Sequence, residues 1–338
     1  MSDEEKRNKT SLMSSSSRGL ATRSTGLVKR GLELISIVEL REKVLERDAD
    51  FYFNLGNAQD EQGLFKEAIE SYKDAIKLNP NKANSYNKLG IAQGHLKLHK
   101  EAIESFQQAI KLNPDDSRFY NNLGISQLRL GLLKEAIERY QHAIKLKPDE
   151  AKFYERLGWT QYWLRLFKEA IESYQHAIKL NPDEAKFYER LGWTQYRFRL
   201  LKEAIESYKQ AIKLDPNDAD FYDSLGMVQS MQGLFKEAIE SYQQAIKLNP
   251  DDATAYYNLG IAQFKLGLLK EAIESYQQAI KLYPNEAVYY YNLGIAQSML
   301  GLYKEALEQY DILKNLNQDL ATKLKSLLPT TLFNINPS

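Results

Sequence analysis

Lysine, arginine and tryptophan side chains cluster near the middle of the sequence, where they could bind an anionic ligand. All three tryptophans, Trp159, Trp163 and Trp193, lie in this region. Arginine recognises carboxylates and phosphates through paired hydrogen bonds, and tryptophan and arginine are enriched at protein-binding hot spots. The predicted binding site consists of Arg118, Asn122, Arg129, Lys152, Arg156, Trp159, Tyr162, Trp163, Lys186, Arg190, Trp193, Tyr196 and Arg197.

Two pairs of like charge within this cluster favour an incoming anion. Lys152 and Arg156 are four residues apart, and so are Lys186 and Arg190. On a helix such pairs lie side by side, and each destabilises the helix by roughly a few tenths of a kcal/mol. The neighbouring glutamates supply too little charge to neutralise the seven cations of the predicted site. In the alternative interpretation, the cations form a solubilising surface and the tryptophans pack against neighbouring helices.

Motifs for other chemistry are absent from the sequence. There is no G-x-x-x-x-G-K-[ST] or G-x-G-x-x-G phosphate-binding pattern, no H-E-x-x-H zinc motif and no G-x-S-x-G nucleophile motif. The chain has no cysteine, which excludes disulfides and thiolate metal ligands. His95 and His99 are four residues apart, but the residues near them supply no third ligand. We therefore expect no catalytic residues, no metal and no cofactor, and no enzymatic activity.

Charge and hydropathy limit the classes of partner. The chain carries 45 basic and 45 acidic residues, so the net charge is zero, which argues against nucleic acid as the main partner. No apolar run approaches the roughly 18–20 residues that a membrane span needs. The opening residues, MSDEEKRNKT, lack the apolar region of a signal peptide. These features favour a cytoplasmic protein that does not associate with membranes.

The elements that carry the cluster belong to an internal repeat. The run DEAKFYERLGWTQY occurs at Asp149–Tyr162 and again, unchanged, at Asp183–Tyr196, a shift of 34 residues. A period of this size indicates stacked supersecondary units. The same shift divides the middle of the chain into eight predicted repeats, at residues 49–82, 83–116, 117–150, 151–184, 185–218, 219–252, 253–286 and 287–320.

Each repeat is predicted to form two helices joined by a turn. The first helix is predicted to begin after the Asp or Asn that follows a proline, as at Pro114-Asp115, because that side chain caps free backbone N–H groups. The second helix begins near Phe65 in the first repeat and ends before the next proline, which cannot continue a helix. A glycine within a helix costs about 1 kcal/mol relative to alanine. The glycine column that starts at Gly56 therefore predicts close approach of the second helix, at the alanine column that starts at Ala68.

These columns make the chain resemble a known repeat family. The spacing of Tyr52, Leu55, Gly56, Ala68, Tyr72, Ala75 and Pro80 is similar to that of the tetratricopeptide repeat, a 34-residue helix–turn–helix unit. The resemblance covers Ala49–Leu320. It implies an all-α fold, a right-handed α-α superhelix (a TPR solenoid) of eight repeats. It also implies that the first helices line a concave groove.

The segments outside the repeats are predicted to be tails and caps. Residues 1–26 are rich in Ser and Arg and predict a disordered tail. Because the ends of a repeat array need a covering face, residues 27–48 predict an N-terminal capping helix and residues 320–328 a C-terminal one. Residues 329–338 are predicted to be a flexible tail.

These observations favour a non-catalytic interaction scaffold or adaptor that binds an extended acidic peptide, or a helix of a partner protein, in the concave groove. The family resemblance also raises the hypothesis that the groove binds the terminal carboxylate of a partner. Asn122, Lys152 and Arg156 match three positions of the five-residue carboxylate clamp of co-chaperones in this family, and Asn87 and Ile91 occupy the other two. Two alternatives remain open. The same basic and aromatic surface could stack the bases of single-stranded RNA, or the capping helices could drive self-assembly, and the oligomeric state is open.

Overall fold

The structure is a computed structural model, and it describes residues 48–333. These residues form seventeen α-helices and one short 3₁₀ helix, and they contain no strand. The predicted all-α fold is thus confirmed. The helices fall into two compact bodies, residues 48–114 and residues 115–333. The predicted N-terminal tail and nearly all of the predicted N-terminal capping helix lie outside the described residues.

The helices alternate between the first and second helix of each repeat. The N-terminal body contains α1 (Ala49–Glu61), α2 (Phe65–Leu78), α3 (Ala83–His95) and α4 (His99–Leu112). The C-terminal body begins with α5 (Ser117–Arg129), α6 (Leu133–Leu146), α7 (Ala151–Trp163), α8 (Phe167–Leu180), α9 (Ala185–Arg197) and α10 (Leu201–Leu214). It continues with α11 (Ala219–Gln232), α12 (Phe235–Leu248), α13 (Ala253–Lys265), α14 (Leu269–Leu282), α15 (Ala287–Met299), α16 (Tyr303–Leu316) and α17 (Gln318–Lys325).

The side chain that caps the first helix of a repeat lies one residue later than predicted. Asp116, not Asp115, is the N-cap of α5, and its Oδ1 accepts a hydrogen bond from the backbone N of Arg118 at 3.0 Å. Such a contact satisfies one of the free N–H groups of the first turn. Aspartates cap three other first helices in the same way: Asp48, Asp218 and Asp252.

An aromatic ring, rather than the predicted alanine, occupies the space over seven of the eight glycines in the column that starts at Gly56. A Cβ atom added to Gly124 would lie 2.8 Å from the ring of Tyr140, and one added to Gly260 would lie 2.6 Å from the ring of Tyr276. Both rings belong to the second helix of the same repeat and are almost completely buried. The alanine column at Ala68 is also buried, but the ring is what requires glycine.

A buried or partly buried hydrogen bond joins the two helices of most repeats. A serine hydroxyl of the second helix donates to a glutamine Oε1 of the first helix at 2.7 Å in the pairs Ser71–Gln59, Ser105–Gln93, Ser173–Gln161, Ser207–Gln195, Ser241–Gln229 and Ser275–Gln263. In the third repeat Arg139 replaces the serine, and Oε1 of Gln127 is buried without a hydrogen-bond partner among the described residues. These glutamine side chains therefore connect the first helix of a repeat to the second.

The C-terminal helix covers the last repeat. The sequence predicts it over residues 320–328, whereas α17 begins at Gln318 because Oδ1 of Asn317 accepts from the backbone N of Leu320 at 3.1 Å. Leu324 of α17 is fully buried and lies where a Cβ of Gly294 would be. It replaces the aromatic ring that covers the glycine in the earlier repeats.

Part of the predicted flexible tail, residues 329–338, is folded. Thr330–Phe333 form the 3₁₀ helix, and the ring of Phe333 packs edge-on against the ring of Tyr310 with 5.5 Å between centroids. Apolar contacts to the core of the last repeat explain this order, since Leu332 and Phe333 pack against its buried cluster. Residues 334–338 lie outside the described part of the chain.

Candidate ligand-binding site

Five of the predicted site residues line one cavity in the C-terminal body, termed here the central cavity. It has a volume of about 570 Å³, within the range of about 300–1,000 Å³ that is typical of ligand sites. The predicted residues Arg129, Arg156, Trp159, Trp163 and Arg190 line it together with Ile125, Leu128, Leu133 and Tyr140. Among the described residues, the lining of the central cavity therefore combines three arginines with apolar and aromatic side chains and includes no carboxylate.

The tryptophans of the fourth repeat form the aromatic part of the central cavity. The ring of Trp159 stacks on that of Tyr162, with centroids 5.8 Å apart, and meets Trp163 edge-on at 5.6 Å. Trp163 lies at the C-terminal end of α7 and exposes 57% of its surface. A large aromatic side chain held in place by its neighbours, yet open to solvent, is suited to contact a partner.

Arg190 reaches the central cavity in a fixed position. Its guanidinium carbon lies 4.4 Å from the centroid of the Trp159 ring, and its Nε lies 3.0 Å from Oε1 of Glu155. The Nε and carboxylate are in contact as an ion pair without the alignment of a hydrogen bond. The Glu155 carboxylate therefore neutralises part of the charge of Arg190 and holds its side chain over Trp159.

The Glu155–Arg190 pair belongs to a row of contacts between successive first helices. Each contact joins a residue to the one 35 positions later: Asn121 accepts from Arg156 at 2.5 Å, Asp223 accepts from Asn258 at 3.4 Å, and Tyr257 accepts from Asn292 at 2.8 Å. These polar links fix the first helices of neighbouring repeats against one another.

Several of the predicted cations have an acidic partner, contrary to the sequence argument that the cluster lacks negative charge. Besides Arg190, Lys186 lies 3.5 Å from Glu189, and Arg118 pairs with Asp116 at 2.5 Å. The hydrogen bond from Arg118 holds the pKa of the Asp116 carboxyl below its usual value. Within residues 48–333, the other four cations, Arg129, Lys152, Arg156 and Arg197, form no ion pair. The uncompensated charge is thus smaller than the sequence indicated.

The other predicted residues lie outside the central cavity. Nε1 of Trp193 donates to the hydroxyl of Tyr162 at 2.7 Å, so these two side chains link α9 to α7. Asn122 accepts a hydrogen bond from Asn121. Arg118 lines none of the three cavities described here, because its guanidinium is turned toward Asp116.

Lys152 and Lys186 line a second cavity, of about 470 Å³, together with Arg156. Four acidic residues share its lining: Asp149, Glu150, Glu155 and Glu184. The charges of opposite sign compensate one another here, so this cavity has no clear preference for an anion.

Tyr196 and Arg197 line a third cavity, of about 320 Å³, termed here the arginine cavity. Its other lining residues are Arg165, Phe167 and Arg199. Sequence reasoning missed Arg165 and Arg199, although one signal marks them. They stand in the turn between the two helices of a repeat, where other repeats have Gly63, Gly131, Gly233, Gly267 and Gly301.

A partly buried carboxyl group, that of Asp223, lies in the repeat that follows the arginine cavity. Burial raises the pKa of Asp223 in α11 to about 6, from an ordinary value of 3.8. The hydrogen bond from Asn258 opposes this shift, and the negative charges of Asp252 and Asp220 add to it. Asp223 is therefore more easily protonated than an exposed aspartate.

Residues 48–333 contain neither a candidate metal site nor a candidate membrane-spanning helix. No group of three or more His, Cys, Asp or Glu side chains there has the arrangement of a metal site. Likewise, none of the helices in that range is long and apolar enough to cross a membrane.

Comparisons with known families identify tetratricopeptide repeats along the chain. Models described as tetratricopeptide repeat match residues 49–82, 117–150, 151–184, 253–286 and 275–308. A model described as TPR repeat matches residues 99–131, 201–233 and 231–267. A comparison with curated proteins found no match.

Solved structures of other proteins have a similar fold. The C-terminal part of a TPR repeat-containing protein from Cytophaga hutchinsonii is 19% identical, with a TM-score of 0.63 over 71% of this chain and 99% of that chain. PilF of Pseudomonas aeruginosa is 19% identical, with a TM-score of 0.53 over 64% and 97%. YrrB, described as a TPR protein with an unusual peptide-binding site, is 24% identical, with a TM-score of 0.50 over 55% and 96%. At these identities the similarity establishes the fold alone.

Proposed function

Because the chain belongs to the tetratricopeptide repeat family, we propose that it binds an acidic peptide of a partner protein in the central cavity. The predicted resemblance to this family is confirmed, and the repeats make the protein an interaction scaffold in the general sense. Proteins of this family are typically non-catalytic. The acidic character of the peptide and the site of binding are the specific parts of the proposal.

The observation that carries this proposal is the composition of the central cavity. Arg129, Arg156 and Arg190 come from three different helices and line the same space as the exposed ring of Trp163. An apolar side chain of the peptide would pack on Trp163 and Leu128, because burying their surface removes it from water. A neighbouring carboxylate would accept charge-assisted hydrogen bonds from Arg129, whose guanidinium has no acidic partner in the described structure.

Preorganisation of Arg190 supports the same assignment. Its ion pair with Glu155 and its contact with Trp159 fix the guanidinium before any ligand arrives. A side chain that is already ordered loses less conformational entropy on binding, so each contact contributes more to affinity. The bound segment would be an extended chain or a helix laid along α5, α7 and α9.

The test is a crosslinking pull-down with mass spectrometry, supported by binding of a random peptide pool with a fixed glutamate. The Arg129→Gln/Trp163→Ala variant removes an unpaired cation and an exposed ring, so we expect it to fold normally and to lose most of the partners. Circular dichroism checks the fold. An unchanged partner list with the folded variant would contradict the proposal.

Two control variants match these changes outside the central cavity. Arg118→Gln removes a cation that the sequence placed in the site but the structure pairs with Asp116. Tyr283→Ala removes an aromatic ring that is 56% exposed, close to the 57% of Trp163. Both controls should retain the partners, and loss of binding in either would show that the central cavity is not the determinant.

A further inference from the structure

We propose that the arginine cavity binds a phosphate monoester, in the form of a phosphorylated side chain of the partner. The peptide context of this inference rests on the function proposed above, whereas the phosphate site itself does not. The evidence is the charge of the cavity, the backbone conformation of two of its arginines and its position beside the central cavity.

The arginine cavity concentrates positive charge without compensation. Arg165, Arg197 and Arg199 line it with Phe167 and Tyr196, and this lining includes no acidic residue. In the described part of the chain, none of the three guanidinium groups lies within ion-pair distance of a carboxylate. Three like charges around one space repel one another, and an anion bound between them would remove that repulsion.

Two of these arginines occupy backbone positions that favour glycine. Arg165 and Arg199 have φ angles of 60° and 66°, in the left-handed region where a Cβ atom is strained. The backbone N–H of each donates to a carbonyl three residues earlier, at 2.9 Å and 3.0 Å, and Gly233 makes the equivalent contact at 3.1 Å. The turn therefore forms equally well with glycine. The distinctive contribution of these two residues is the guanidinium group.

The number of charges favours a phosphate monoester over other anions. A phosphorylated serine, threonine or tyrosine carries a charge of about −1.5 to −2 and three strong acceptor oxygens at neutral pH. A carboxylate has one charge and two oxygens, and a nucleic-acid phosphodiester also has one charge. The planar guanidinium of arginine can donate two parallel hydrogen bonds to two phosphate oxygens. Three guanidinium groups around one space therefore match a monoester most closely.

The arginine cavity adjoins the central cavity through ring contacts. The ring of Tyr162 lies 5.8 Å from that of Trp163 in the central cavity and 5.7 Å from that of Phe167 in the arginine cavity. One peptide could therefore place an acidic segment in the central cavity and a phosphorylated residue beside it.

The experiment compares three pools of fluorescein-labelled random peptides, with phosphoserine, serine or glutamate fixed at the centre, by fluorescence anisotropy on the full chain. We expect the phosphoserine pool to bind about tenfold or more tightly than the serine pool, since charge-assisted hydrogen bonds are the strongest of their kind. The Arg165→Gly/Arg199→Gly variant should abolish this preference. Five other repeats have glycine at this turn position, so we expect the variant to fold normally.

A matched control makes the same backbone change elsewhere. Lys97 has a φ of 62° at the equivalent turn position, so Lys97→Gly relieves the same strain without touching the arginine cavity and should keep the preference. The inference is overturned if the double variant retains the preference, or if the wild-type chain binds the three pools equally. It is also overturned if glutamate substitutes fully for phosphoserine, or if a random single-stranded RNA binds through these arginines while the phosphopeptides do not.

The central-cavity variant distinguishes this inference from the function proposed above. Trp163→Ala should weaken binding of all three pools by a similar factor and leave the preference for phosphoserine unchanged. If Trp163→Ala has no effect while Arg165→Gly/Arg199→Gly abolishes the preference, the central-cavity proposal fails and the phosphate site stands.

Discussion

Nε1 of Trp193 donates a hydrogen bond to the hydroxyl oxygen of Tyr162, 2.7 Å away, and thereby joins α9 to α7. Both residues belong to the duplicated run DEAKFYERLGWTQY, so each has an identical copy 34 residues away. The copies behave differently. Trp159, the counterpart of Trp193, lies under the guanidinium of Arg190 and lines the central cavity. Identical sequences thus fix Trp193 by a hydrogen bond to the preceding repeat and place Trp159 under a guanidinium of the following repeat, at a candidate binding surface.

Replacing Tyr162 by Phe should destabilise the protein by about 1 kcal/mol, because it leaves the partly buried indole N–H of Trp193 without its acceptor. The free energy of unfolding, from urea denaturation followed by circular dichroism, measures the change. Tyr196→Phe is the matched control, since Tyr196 is the copy of Tyr162 and its hydroxyl has no hydrogen bond within residues 48–333. Equal effects of the two substitutions would show that the Trp193 contact contributes nothing.

Replacing Gly260 by Ala should destabilise the protein by about 1–3 kcal/mol, because the new methyl group would lie 2.6 Å from the buried ring of Tyr276. Gly94→Ala is the opposite case, since nothing lies within 4 Å of its Cβ position within α3. There the higher helix propensity of alanine should stabilise the fold by about 0.5–1 kcal/mol. Thermal unfolding of both variants checks the difference in sign, and a gain in stability for Gly260→Ala would contradict the packing explanation.

Replacing Arg139 by Ser should stabilise the third repeat by about 1 kcal/mol. The serine hydroxyl would donate to the buried Oε1 of Gln127, as serine does at 2.7 Å in repeats such as that of Ser173 and Gln161. The ion pair that Arg139 forms with Glu138 at 3.3 Å is exposed and contributes little. Arg139→Ala removes the same ion pair without supplying a hydroxyl. If the melting temperature of Arg139→Ser is no higher than that of Arg139→Ala, the proposed hydrogen bond to Gln127 contributes no stability.

Replacing Asp223 by Asn should stabilise the protein at neutral pH but not at acidic pH. The pKa of Asp223 is raised to about 6, above its ordinary value of 3.8, so the folded state binds the proton more tightly than the unfolded state. The stabilisation by protonation is present below about pH 4 and is lost as the pH rises through about 6. The asparagine variant should gain on the order of 2 kcal/mol at pH 7.5 and little at pH 4.

Urea denaturation at both pH values measures the effect of Asp223→Asn. The exposed Asp183 provides a control, because Asp183→Asn should leave the free energy of unfolding nearly unchanged at either pH. A stabilisation by Asp223→Asn of the same size at pH 4 and pH 7.5 would rule out titration of this carboxyl as the cause.

The local pattern of the sequence was sufficient to predict the helices and their family. The 34-residue period, the prolines between repeats and the fixed positions of Leu55, Gly56 and Tyr72 within a repeat are visible in the order of residues along the chain. Hydrogen bonds between a residue and its fourth neighbour define a helix, so this information is contained in short segments. The same local reasoning placed the cap at Asp115 rather than Asp116, because the proline-to-helix turn takes one residue more than expected.

The composition of the candidate site was decided by tertiary structure. Glu155 meets Arg190 because a first helix contacts the next one 35 residues on, so the same contact from Glu189 would reach Ser224, which carries no charge. Charge balance therefore depends on the residue that the neighbouring repeat supplies. Arg165 and Arg199 likewise converge with Arg197 through the packing of two successive turns. The sequence by itself determined the repeat and its helices, whereas side-chain contacts between repeats decided which cations remain available to a partner, because such contacts depend on how separate helices are placed in space.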